Sequence, residues 1–213
     1  MRVAAGPVSK ALVGTGLALL WSNRVLPGLG LDQRGRTAAN ACFATGYGLA
    51  FGGRSHWWSG RGLAVGASAG AVVLAGYGAA VAIPALREML RDFAPVGQEV
   101  SDLEWIAVHI PVGTVYSEEL IFRSTLEPLL DDTFGPRLGP LLGAAAFGLW
   151  HIHPARAGGA PVGPTVLATA AGGAILGRLR RSAGSTTAPA LLHWAINAGG
   201  VLATRLAFGR TIP

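Results

Sequence analysis

Apolar runs close to 20 residues long recur along this chain, and they limit what it can fold into more than any other feature. The stretch 4–22, which contains "ALVGTGLALLW", and "GLAVGASAGAVVLAGYGAAVA" (62–82) are two of them. At about 1.5 Å rise per residue, such a run makes a helix as long as the hydrocarbon core of a bilayer is thick. Composition agrees. Hydrophobic residues make up 51% and charged residues 13%, against about 25% charged in a soluble domain, and mean hydropathy is +0.45. The expected fold is therefore all-α: a polytopic transmembrane helical bundle of about seven spans, range 6–8, enclosing a polar cavity. The chain is read as one integral membrane domain, 1–213.

The expected spans are 4–22, 37–53, 62–84, 103–130, 138–152, 163–180 and 186–208. The first has Arg2 and Lys10 around its start but no small-residue cleavage site at its end, so it is expected to stay uncleaved. Between the third and fourth spans, Leu86, Met89, Leu90 and Phe93 share one helical side, and Arg87, Glu88, Arg91 and Asp92 the other. That pattern fits a short helix lying in the membrane interface, or an ordinary connecting helix. Gly62, Gly66 and Gly70, and again Gly173 and Gly177, recur at four-residue spacing, as in helices that approach closely in lipid.

The net charge of +6 does not form the basic stripe with interleaved aromatics that nucleic acid requires. The basic residues sit between apolar runs, as expected at membrane borders. Counted over seven spans they divide evenly between the two sides, so the positive-inside rule assigns no orientation. All but Lys10 are arginine, a bias expected of GC-rich bacterial coding, which places the protein in a bacterial plasma membrane. Cys42 is the one cysteine, so no disulfide framework or cysteine-based zinc site is expected.

Ionisable groups inside a membrane helix cost about 2.5–3.5 kcal/mol each on insertion scales, and they mark cavities with a function. Three groups stand out. Glu118, Glu119 and Arg123 lie in the fourth span, His151 ends the fifth, and His193 and Asn197 lie inside the seventh. Glu119 and Arg123 are four residues apart and can pair along one face. Glu118, about 100° further round, is left without an intrahelical counter-charge. A carboxylate in a dry cavity is a stronger base than one in water. His193 and Asn197 present two hydrogen-bonding heads on one face, and Phe147 shares a face with His151. Such a set can activate water and donate hydrogen bonds to an oxyanion, which suggests amide hydrolysis. His109 and His56 are read as structural or interfacial, His153 as a loop residue, and Trp57 and Trp58 as an interface anchor. Ser117 lacks a nucleophile elbow and a paired base.

These residues resemble the CAAX-protease and bacteriocin-processing (Abi) family of intramembrane proteases, whose motifs are EExxxR, FxxxH and HxxxN/D. Here they read "EELIFR" (118–123), "FGLWH" (147–151) and "HWAIN" (193–197), in order and on separate helices, within a catalytic core of about 103–208. The resemblance implies an intramembrane endopeptidase acting on membrane-associated or hydrophobic substrates, of the CAAX type or in bacteriocin and signal-peptide processing. Glu118 would activate water with help from His151, His193 and Asn197 would form the oxyanion hole, and Glu119 and Arg123 would shape the site. In a bacterial host, which generally lacks prenylated CAAX proteins, these are not the expected natural targets. Ser124 departs from the glycine many relatives carry there, a packing matter. No cofactor is expected, HExxH being absent; a zinc-dependent version would use Glu118, His151 and His193 as ligands. The expected partners are membrane lipid and a hydrophobic or lipidated peptide, with no nucleic acid. A non-catalytic immunity or scaffold protein, and a proton-coupled transporter, stay open as other classes.

Overall fold

The computed structural model describes residues 6–53, 56–91 and 99–209, with the side chain of Arg91 outside that description. Among the described residues there is no strand. Helix α1 runs over 7–28 as Pro7–Leu20, a wider-wound stretch Trp21–Val25, and Leu26–Gly28. Then follow α2 (Gln33–Phe51), α3 (Gly60–Ala82) and the short α4 (Pro84–Arg91). Helix α5 covers 102–126 and leads directly into α6 (Glu127–Trp150). The chain ends with α7 (Ile152–Ala157), α8 (Val162–Ala183) and α9 (Thr187–Ala207).

Two of these, Gly60–Ala82 and Val162–Ala183, are long and apolar enough to cross a bilayer by length and composition. The others fall short where they carry polar residues or breaks. The clearest break is at Gly135, whose φ of 80° belongs to glycine and divides α6 in two. A Cβ on Gly139 would come within 2.6 Å of the Asp131 Cα; in a straight helix residues eight apart would be separated by about 12 Å. The chain therefore reverses at one residue, and the expected connection 131–137 is mostly helical.

One other expectation needs correcting. His153 is no loop residue: it lies in α7, and its N–H donates to the Asn23 Oδ1 at 2.8 Å. The tryptophans separate, with Trp58 96% exposed and Trp57 stacked 5.9 Å from Tyr116. In α4, Leu86 and Met89 are exposed, whereas Asp92, Phe93 and the Arg91 side chain of that expected helix lie outside the described part.

The small-residue faces work as close contacts. The stripe Gly62, Gly66, Gly70 lies against the start of α9, and a Cβ on Gly66 would sit 2.8 Å from the Ala188 backbone. Helix α3 packs most extensively on α9, and α6 on α8. Two polar clasps fix α5. Arg34, at the start of α2, holds Glu104 through two hydrogen bonds of 2.7 and 2.9 Å. Buried His109 bridges Thr37 (2.7 Å) and Glu104 (3.2 Å), a structural role as expected.

Candidate active site

Helix α5 is wound in i→i+5 turns over Trp105–Tyr116 and Glu119–Leu126. Pro111 supplies no N–H to the ladder, and the hydroxyls of Ser117 and Thr125 donate to carbonyls five residues back, on Val112 and Leu120. The Ser117 hydroxyl is thus occupied in structure, consistent with its rejection as a nucleophile. Such wide turns are rare and cluster at functional sites. This one carries Glu118, Glu119 and Arg123 into the interior, where all three are buried.

Glu118 and Glu119 face different partners. The Trp150 indole donates to the Glu118 Oε1 at 3.1 Å. The Glu118 Oε2 has no hydrogen-bond partner among the described residues and lies 3.8 Å from the His193 Nε2, too far for a direct bond. Glu119 is divided between two helices: its Oε1 takes the His193 Nδ1 at 2.8 Å, and its Oε2 lies 3.5 Å from the Arg123 Nε. The expected Glu119–Arg123 pair is present, but Glu119 also orients His193, which spacing along one helix does not show.

Arg123 is fully buried and lies 4.2 Å over the Phe147 ring. Its Nε is also 3.4 Å from the Glu127 Oε1, one turn further along. Glu127, absent from the expected site, is 2% exposed and reaches Arg180 (3.5 Å) and Arg181 (3.4 Å) on α8. Asp131 closes the chain of charges with Arg180 at 3.0 Å. Gly143 and Gly177 line the slot: a Cβ at either would come within 2.9 Å of Glu127 atoms. The Gly173–Gly177 face, expected only to pack, thus seats the Phe147 ring and the Glu127 carboxylate.

His151 ends α6. Its Nδ1 donates to the Phe147 carbonyl at 2.8 Å, because a carbonyl can only accept, so in the neutral ring the Nε2 carries the lone pair. The Phe147 ring braces it edge-on at 4.9 Å, as expected. Among the described residues no hydrogen bond or ion pair joins His151 to Glu118 or His193. Asn197 donates to the His193 carbonyl at 3.3 Å and lines a groove of about 460 Å³ with Tyr77, Ile196, Gly200, Val201 and Thr204.

The first helix contributes where no motif pointed. The Ser22 hydroxyl donates to the Trp150 carbonyl (2.7 Å) and the Asn23 amide to the Leu149 carbonyl (3.0 Å), capping the end of α6 beside His151. Ser124 hydrogen-bonds Thr186 at 3.0 Å, a packing contact between α5 and the start of α9.

A zinc site would need three or more donors converging about 2.0–2.2 Å from one point. Among the described residues no group of three or more His, Cys, Asp or Glu side chains is so placed. The Nδ1 atoms of His151 and His193 are engaged by the Phe147 carbonyl and the Glu119 carboxylate, which leaves the Nε2 of each ring as its free nitrogen.

Among the described residues the chain is all-helical and sets buried Glu118, Glu119 and His193 together from two helices. Residues 101–199 match the family described as type II CAAX prenyl endopeptidase Rce1-like. The match covers just under half of the chain, includes all three motifs, and bears out the resemblance read from them. The family is one of membrane-embedded proteases. No curated protein and no solved structure matches the chain.

Proposed function

We propose that this protein is an intramembrane endopeptidase that hydrolyses peptide bonds of hydrophobic or lipidated substrates, with Glu118 as the base. The observation that carries the reading is the unpartnered Oε2 of buried Glu118, facing the His193 Nε2 at 3.8 Å. A water hydrogen-bonded to the Glu118 Oε2 would lose a proton to it as its oxygen attacks the scissile carbonyl carbon. With its Nδ1–H donated to Glu119, His193 donates to the resulting oxyanion only when the Nε2 also carries a proton. Asn197 has a second amide hydrogen for the same oxygen. When the carbonyl re-forms, the C–N bond breaks and the proton on Glu118 passes to the amine. The His151 Nε2 lone pair is the second base from the motif set. No step runs through a metal, and a serine acyl-enzyme has no place in it.

The chain would cross a membrane about seven times, through 7–28, 33–51, 60–82, 102–134, 136–150, 162–183 and 187–207. Support comes from the apolar outer faces: Val8, Leu12 and Val13 on α1, Leu63 and Val72 on α3, and Leu167 and Ile175 on α8 are all exposed. Soluble surfaces rarely carry contiguous apolar area on that scale. The arginine bias supports a bacterial plasma membrane. The groove beside Asn197 is where an extended hydrophobic substrate would run.

The test is cleavage of a panel of hydrophobic and prenylated peptides by purified protein in detergent, before and after exhaustive chelation. Glu118→Gln is expected to lower kcat by about 10²–10⁴-fold, and chelation to leave it unchanged. Cleavage that persists in Glu118→Gln would overturn the assignment.

A further inference from the structure

We infer that Glu127 is a positioning residue for His193, acting through Arg123 and Glu119; the inference rests on the protease reading for its kinetic consequence but not for its geometry. Glu119, Arg123 and Glu127 occupy successive turns, and the Arg123 Nε sits almost midway between the two carboxylates, 3.5 Å from one and 3.4 Å from the other. Its nitrogens make no hydrogen bond among the described residues, so these two ion pairs and the Phe147 face are what locate the guanidinium. Glu119 must serve two partners at once, since its other oxygen fixes the His193 Nδ1 at 2.8 Å.

Glu127 makes that division workable. By drawing Arg123 one turn away, it stops the guanidinium from closing on Glu119 as a two-pronged pair, the geometry arginine and carboxylate prefer. Such a pair would turn the carboxylate toward Arg123 and make the guanidinium compete with the His193 ring for the Oε1. Glu127 is itself anchored from the far side by Arg180 and Arg181, and Gly143 and Gly177 leave it no sideways room. The order His193, Glu119, Arg123, Glu127, Arg180 and Arg181 therefore runs from the reacting centre to the end of α8, alternating in charge throughout if the imidazole is protonated.

The experiment compares wild type with Glu127→Gln, which keeps the size and removes the charge, and with Gly177→Ala, whose Cβ would sit 2.7–2.8 Å from the Glu127 oxygens and push them from Arg123. Two readouts are taken in detergent: steady-state kinetics on a cleaved peptide, and the ring ¹⁵N signals of His193 in histidine-labelled protein. Both variants are expected to lower kcat by roughly 10–100-fold, the size seen for outer-shell partners, with KM changed less than about threefold and the His193 Nδ1 signal shifted. An unchanged His193 signal in a folded variant overturns the inference whether or not a cleaved peptide has been found. Wild-type kcat in both variants, with Glu118→Gln inactive, overturns it while leaving the protease reading intact. A loss confined to melting temperature, with kcat and the ring signals unchanged, assigns Glu127 to stability alone and also overturns it.

Discussion

Replacing Trp150 with phenylalanine isolates the one side-chain hydrogen bond that, among the described residues, aims Glu118. The indole donates to the Glu118 Oε1 at 3.1 Å, and the same ring packs edge-on against Phe122 at 5.4 Å. Phenylalanine keeps an aromatic in that packing and deletes the donor. Because the Oε2 of Glu118 already lacks a partner, the substitution leaves both oxygens of a buried carboxylate without a hydrogen bond among the described residues. A hydrogen bond to a charged group contributes about 1.5–3 kcal/mol. If its loss falls on the reacting geometry, each 1.36 kcal/mol is about tenfold in rate, so Trp150→Phe is expected to lower kcat by roughly 10–150-fold. If part falls on the folded state, the melting temperature drops as well. The assay is steady-state cleavage of a fluorogenic hydrophobic peptide in micelles, paired with a thermal melt of the same preparation. A variant with kcat within twofold of wild type and an unchanged melt would refute the claim that Trp150 positions the base.

Two further outcomes test the frame around the site. Ser22→Ala combined with Asn23→Ala removes the caps on the Trp150 and Leu149 carbonyls; at about 1 kcal/mol per hydrogen bond it should open the end of α6, seen as faster tryptic cleavage at Arg156 together with reduced kcat. Gly66→Ala places a methyl 2.8 Å from the Ala188 backbone, which cannot move aside as a flexible side chain would. It should destabilise the α3–α9 contact by about 1–3 kcal/mol, measured as a lowered melting temperature.

Much of the fold was legible because bilayer-length apolar runs repeat and glycines recur every fourth residue. Both are local patterns, and the helices fall close to where those patterns place them. The reversal at Gly135 was less legible, since Pro136 and Pro140 beside it suggest a longer connection than the single residue that suffices. Of the site, Glu118, Glu119, Arg123, Phe147, His151, His193 and Asn197 were all named from three motifs, and the structure bonds Glu119 to His193, brings Glu118 within 3.8 Å of the same ring, sets Arg123 over Phe147, and bonds His151 to Phe147. It does not join His151 to Glu118, and it turns one amide hydrogen of Asn197 back to the His193 carbonyl. Glu127 carried a readable signal, one helical turn beyond Arg123, that extending the same spacing would have found. Trp150 carried none, because a buried indole looks like any packing aromatic until its N–H has a partner.

The sequence by itself determined which residues are costly to bury and how they repeat along each helix, since both depend only on side-chain chemistry and the helical period. Only the tertiary structure decided who meets whom. His193 reaches Glu119 across 74 positions of chain, Trp150 reaches Glu118 across 32, and the caps from Ser22 cross 128. The physical reason is that helical spacing fixes which groups share a face, while the choice of facing partner depends on how whole helices pack. That packing is set by glycine contacts and ring shapes far from the charges they bring together.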